Sequence, residues 1–135
     1  SYCVYSRIGE KTSREQVVLL DKIGMLRRLF QIADVAIVAG SFTEKVGGHN
    51  VLEPLWYGIP VIYGPHMHSQ LEFDGFVKEY KAGSQVPLEN LSREVERLLG
   101  DKVLQDKRRV AGFLLLRDST GATERTLQHL PLYTA

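Results

Sequence analysis

The apolar positions change period several times along the chain, and each change marks an element. The short run YCVYS at 2–6 is β-rich, and QVVLLD at 16–21 is continuously apolar up to its Asp. Residues 25–33 have helical spacing, with Met25, Leu26, Leu29, Phe30 and Ala33 on one face. DVAIVAGS at 34–41 has the pattern of a buried strand that stops at Gly-Ser. NVLEPLWYG at 50–58 predicts a short helix with Gly58 as its C′ residue. PVIYGP at 60–65 is a second buried strand, SQLEFDGFVKEYKAG at 69–83 is helical up to Gly83, and GSQVP at 83–87 is a short strand. The remainder predicts helices over 88–100, 101–118 and 119–130. Ser92 is the expected start of the first, and Asp101 and Ser119 are the expected caps of the next two.

Strands and helices alternate, and the strands are apolar throughout instead of alternating. That pattern belongs to a parallel sheet covered on both faces. The expected fold is an α/β, Rossmann-like doubly wound parallel sheet of four or five strands, with the C-terminal helices packed along it. In such sheets ligands sit beyond the carboxyl ends of the strands. Those ends carry Asp21-Lys22, Gly40-Ser41 and Gly64-Pro65-His66, and the turn Gly47–Asn50 lies between the last two in sequence.

Composition narrows the function classes. The chain has 135 residues, 44% of them hydrophobic, which suits one globular domain over 1–135. A net charge of +1 gives no field directed at nucleic acid. With Cys3 alone, there is neither an intrachain disulfide framework nor a cysteine zinc site. No run of about 18 apolar residues is present to span a bilayer. The abrupt opening in a strand-like segment suggests a fragment whose beginning is missing.

The stretch GGHNVLEP, 47–54, concentrates the most specific chemistry. Asn50 and Glu53 have the N-cap and N3 spacing of a capping box, which by itself accounts for both. Gly47 and Gly48 allow close backbone approach, as an ordinary tight turn also requires. Pro54, at N4, forfeits the first intrahelical bond and so leaves more N–H groups free at this helix start. Free N–H groups and the helix dipole favour an anion, and a carboxylate one turn further suits sugar hydroxyls. Two readings therefore stand: a well-capped helix, and a helix start that holds a ligand.

Other segments are less specific. AGSFTEKVGG at 39–48 contains neither a P-loop nor a dinucleotide fingerprint. His66 and His68 lack a nearby third metal ligand and read as a polar loop at a strand end. Gly24 suits a turn before a helix, and DKRR at 106–109 reads as a solvated helix face. No Ser-His-Asp order, HExxH or acid/base carboxylate pair appears.

Taken together, Asp21-Lys22-Ile23-Gly24-Met25-Leu26, ADVAIVAGSF, GGHNVLEP and GIPVIYGPH resemble the C-terminal domain of the 3-deoxy-D-manno-octulosonic acid (Kdo) transferases. The resemblance is densest over 21–66. It implies the C-terminal half of a two-domain GT-B glycosyltransferase, in which CMP-Kdo lies mainly against this half. Carried over by position, it implies donor phosphate contacts at Gly40 and Ser41. It implies helix-start contacts from Gly48, His49 and Asn50, and ribose hydroxyls on Glu53. Met25, in a loop flanking the cytosine, and Arg7, in the donor cleft, complete the set. The general base is expected in an N-terminal acceptor domain absent from this sequence, and no metal cofactor is expected. The implied acceptor is a lipid A precursor, and the implied setting of the whole enzyme is the cytoplasmic face of the bacterial inner membrane, the fragment itself being soluble.

Departures from the family pattern fall at Ala39, Lys22 and Met25, where the family has Gly, Thr and Glu, and in the MHSQLEF segment after Gly-Pro-His. A UDP-sugar enzyme of the same architecture and a non-catalytic nucleotide-binding module remain the alternatives.

Overall fold

A computed structural model describes residues 2–8, 15–121 and 126–128. The chain divides into two compact units, Ser1–Ala33 and Asp34–Ala135.

In the first unit, β1 (Cys3–Val4) pairs in parallel with β2 (Val18–Leu19), Cys3 opposite Val18. A 3-10 turn, Tyr5–Arg7, follows β1. Asp21, just past β2, accepts from the Ser6 N–H at 3.0 Å and from the Ser6 hydroxyl at 2.5 Å. These two bonds hold the Asp21 carboxyl below its ordinary value. Gly24 takes φ +83° immediately before α1 (Leu26–Phe30), the turn its position predicts.

In the second unit, β3 (Ala36–Val38), β4 (Val61–Tyr63) and β5 (Gly83–Gln85) form a parallel sheet in sequence order. Ala36 faces Val61 and Val61 faces Gly83. β4 lies in the middle and all three of its residues are fully buried, as its continuous apolar run requires. Among the described residues there are five strands, within the four or five expected, paired in two sheets of two and three strands. α2 (Leu52–Trp56) connects β3 to β4, and α3 (Leu71–Glu79) connects β4 to β5. α4 (Leu91–Gly100) and α5 (Lys102–Ser119) complete the unit. α5 packs along α2, α3 and α4. Val51, Leu55, Val61, Tyr63, Met67, Val77, Ala82 and Leu115 make one core, so both crossover helices and α5 bury against β4.

Helix ends show which local signals hold. Asp101 caps α5 by accepting from the Leu104 N–H at 2.9 Å. Gly58 ends α2 at φ +70°, its N–H bonding the Leu55 carbonyl while the Ile59 N–H bonds that of Pro54, a Schellman motif. α3 ends in the same way but at Lys81 (φ 55°), with Lys81 and Ala82 donating to Lys78 and Val77. The helix therefore stops at Glu79, and Gly83, its expected end, opens β5 instead. α4 begins at Leu91 after a 3-10 turn, Leu88–Asn90, which leaves Ser92 inside the first turn. Ser119 is the last residue of α5, and the helix expected over 119–130 lies largely outside the described residues.

Polar groups are also drawn inward. Arg97 grips the Glu94 carboxylate with Nε at 2.8 Å and Nη2 at 2.6 Å, and holds that carboxyl below its ordinary value although burial opposes it. Arg108 donates to the Lys81 carbonyl and, at 3.3 Å, to the Ser84 hydroxyl. Burial lowers its pKa. Burial, with help from the Asp74 carboxylate, raises that of the Tyr63 phenol.

Because the folded Glu94 carboxyl is depressed, its stabilisation is present above the unfolded value and is lost as pH falls through the folded one. Wild-type unfolding free energy is expected to drop as pH falls below 4.5, the ordinary glutamate value. Glu94→Gln should be less stable at neutral pH by about 1 kcal/mol, with the two urea-unfolding curves converging in acid. A gap that stays constant between pH 7 and 3 would refute the assignment.

Candidate functional site

The site is built where β3 and β4 end. β3 stops at Val38, earlier than its apolar run suggests, because the Ser41 hydroxyl turns back and donates to the Val38 carbonyl at 2.5 Å. The backbone winds into a 3-10 turn over Ala39–Phe42 as a result. The same hydroxyl accepts from the Gly64 N–H at 2.6 Å, just past β4. Ser41 is fully buried. Its carbonyl accepts from the His66 N–H at 2.9 Å.

The Gly47–Asn50 turn joins this assembly through backbone. The Gly48 N–H donates to the His66 carbonyl at 2.7 Å, and the Ser69 hydroxyl donates to the Gly48 carbonyl at 2.9 Å. A Cβ on Gly40 would stand 2.5 Å from the Gly47 carbonyl, and one on Gly64 would meet the Ser41 carbonyl. A side chain on Gly48 would strike the buried Met67 sulfur, and the His68 ring covers Gly47. These glycines are required by the packing of three loops against one another.

Asn50 caps α2 as its spacing predicts, its Oδ1 accepting from Leu52 N–H at 3.0 Å and Glu53 N–H at 3.1 Å. His49 and Asn50 are exposed, and Glu53 is half-buried in the first turn. Among the described residues, the His49 and Asn50 N–H groups take no backbone acceptor. Pro54 is buried in the helix and has no N–H to give.

The structure therefore divides the expected donor-binding residues into groups. His49, Asn50 and Glu53 form an accessible edge of peptide N–H, imidazole, amide and carboxylate. Gly40, Ser41 and Gly48 sit beside it, but the Ser41 hydroxyl and the Gly48 N–H, expected to face a phosphate, are both consumed internally. Arg7 and Met25 belong to the first unit: Arg7 is exposed in the turn after β1, and Met25 is half-buried ahead of α1. His66 contributes its backbone and Ser69 its hydroxyl to the architecture. Neither role was legible in the sequence, where Ser69 reads only as a helix-start residue. Among the described residues no cluster of three His, Cys, Asp or Glu side chains is arranged to hold a metal. No described helix is long and apolar enough to cross a membrane.

This sequence is 36% identical over 113 residues to a 3-deoxy-D-manno-octulosonic acid transferase of Chlamydia muridarum, covering 84% of this chain. It is 34% identical over 137 residues to the enzyme of the same name from Chlamydia pneumoniae, covering 98% of this chain. The chain is a relative of the 3-deoxy-D-manno-octulosonic acid transferases. It spans 26% and 31% of the lengths of these two relatives. The fold matches the crystal structure of the C-terminal CMP-Kdo binding domain of WaaA from Acinetobacter baumannii with a TM-score of 0.72. That match has 23% identity and covers 76% of this chain and 53% of that one. No family model matches the chain. The α/β fold with parallel strands expected from the sequence is thus found, and this solved domain shares it.

Removing the Ser41 hydroxyl takes the acceptor from the buried Gly64 N–H and a donor from the half-buried Val38 carbonyl. Ser41→Ala should cost about 1–3 kcal/mol in urea unfolding, the usual cost of one buried group left unpaired. A variant as stable as wild type would return the hydroxyl to a ligand-facing role.

Proposed function

We propose that this chain binds the nucleotide of CMP-Kdo and is the donor-binding part of an enzyme that transfers Kdo to a lipid A precursor. One observation carries the reading. A chain similar to Kdo transferases over most of its length carries, beyond the carboxyl ends of parallel strands, the His49 and Asn50 N–H groups, which take no backbone acceptor among the described residues, beside the half-buried Glu53. The N–H groups suit the phosphate of CMP, and Glu53 suits the ribose hydroxyls. In transfer, the leaving CMP phosphate gathers charge, and preorganised N–H donors stabilise it without reorganising. This reading meets the charge with protein groups and invokes no metal ion. Gly40, Ser41 and Gly48 serve the phosphate indirectly, by holding the loops that carry the donors. A lipid acceptor places the whole enzyme at the cytoplasmic face of the inner membrane.

Titration with CMP, UMP and inorganic phosphate, followed by amide shifts, tests the reading. CMP should bind with a Kd from about tens of micromolar to millimolar, since the edge is open and little ligand surface is buried. The shifts should centre on His49–Glu53. Shifts centred on α5, or a preference for UMP, would overturn it, the latter in favour of a UDP-sugar enzyme. Glu53→Gln should keep the fold within about 0.5 kcal/mol and weaken CMP several-fold, because a charged acceptor is lost. An unchanged CMP affinity would leave Glu53 a structural residue.

Catalysis needs a base for the acceptor hydroxyl, and His49 brings an imidazole, a common general-base side chain, to this edge. We assign it a donor contact and place the base outside this chain. The chain mixed with CMP-Kdo and a lipid A precursor should release no CMP above spontaneous hydrolysis. Acceptor-dependent release that His49→Ala abolishes would move the base here.

A further inference from the structure

The two peptide groups that flank Gly48 are pinned separately. The Gly47–Gly48 peptide is held through its N–H by the His66 carbonyl at 2.7 Å. The Gly48–His49 peptide is held through its carbonyl by the Ser69 hydroxyl at 2.9 Å. Peptide bonds in the described chain are trans, so the carbonyl and the N–H of one peptide point in opposite directions. Fixing the Gly48 carbonyl toward Ser69 therefore fixes the His49 N–H away from it. That N–H takes no backbone acceptor among the described residues. Gly48 itself supplies no Cβ to resist rotation of this peptide, and only its N-terminal side is tied by His66.

We propose that Ser69 is a positioning residue: by holding the Gly48 carbonyl, it aims the His49 N–H outward as an anion donor. The proposal rests on the phosphate reading for what the N–H binds, but the orientation itself does not. Ser69 lies beyond β4, 21 residues from Gly48, so the donor on one loop is aimed by a side chain on another. The Gly48 carbonyl is the acceptor in this bond, and losing the hydroxyl leaves the peptide free to rotate toward water. Ser69 is exposed, so the substitution leaves no cavity.

The test compares wild type with Ser69→Ala and Ser69→Thr, the second keeping the hydroxyl. Without ligand, Ser69→Ala should shift the Gly48 carbonyl carbon and the His49 amide nitrogen, and reduce the residual dipolar coupling of the His49 N–H toward an average. Ser69→Thr should leave all three near wild type. With inorganic phosphate and then CMP, Ser69→Ala should bind about fivefold more weakly, the worth of one ordinary hydrogen bond spent on orientation. Ser69→Thr should restore binding to within about twofold. Melting curves should show the three proteins equally folded. A His49 coupling unchanged in Ser69→Ala overturns the positioning role whatever the ligand does. A coupling that averages while wild type binds neither phosphate nor CMP upholds the orientation and sinks the phosphate reading instead. Weaker binding in Ala and Thr variants alike would mean that Ser69 acts by bulk and not by its hydroxyl.

Discussion

The buried Ser41 hydroxyl joins backbone groups at the ends of adjacent strands, donating to the Val38 carbonyl and accepting from the Gly64 N–H. It serves at once as donor and acceptor, and it gives the buried Gly64 N–H its partner. The bond to Val38 ends β3 and winds the 3-10 turn, which sends residues 43–46 out as a loop and returns the chain at Gly47. The bond to Gly64 ties that turn to the loop after β4. His66 then passes the connection on, with its N–H to Ser41 and its carbonyl to Gly48. The edge that carries His49, Asn50 and Glu53 is held by this short series of backbone bonds.

Such an arrangement explains why glycine is frequent here without appeal to a ligand. Three loops meet backbone to backbone, and Gly40 and Gly64 stand where a Cβ would overlap a carbonyl. A rigid frame of this kind is also what a phosphate site requires, because donors that are already aimed lose little freedom on binding. The packing reading and the binding reading of GGHN are therefore compatible: the glycines serve the frame, Asn50 caps α2, and His49 and Asn50 stay exposed beside them.

Away from the site, the unit pairs polar groups both within one helix and between elements. Glu94 and Arg97 are three residues apart on α4, and their bidentate contact offsets the burial of the carboxylate. Arg108 reaches from α5 to the turn after α3 and to β5. Arg108 sits within the DKRR run, so that run is only partly the solvated helix face its charges suggest.

The order of strands and helices was written in the sequence, because burial on both faces demands continuous apolar runs and crossover helices demand a 3.6-residue period. Local caps were legible for the same reason: Asn50, Gly58 and Asp101 act on backbone within three or four residues of themselves. The helix start at Asn50 was legible too, because Asn50 and Glu53 have N-cap and N3 spacing. Element ends were less so. β3 stops at Val38 because of a hydroxyl that binds backward, and α3 stops at Glu79 because Lys81 accepts a left-handed conformation that nothing in its residue type announces. The choice among candidate donors belonged to the tertiary structure alone. Ser41 and Gly48 look like ligand contacts in sequence, yet their polar groups are spent on Gly64 and His66, from loops that come near only once β3 and β4 are paired. A hydrogen bond between residues 21 or 23 positions apart leaves no periodicity or spacing in the chain, so Ser69 and the inward turn of Ser41 had to be read from the fold.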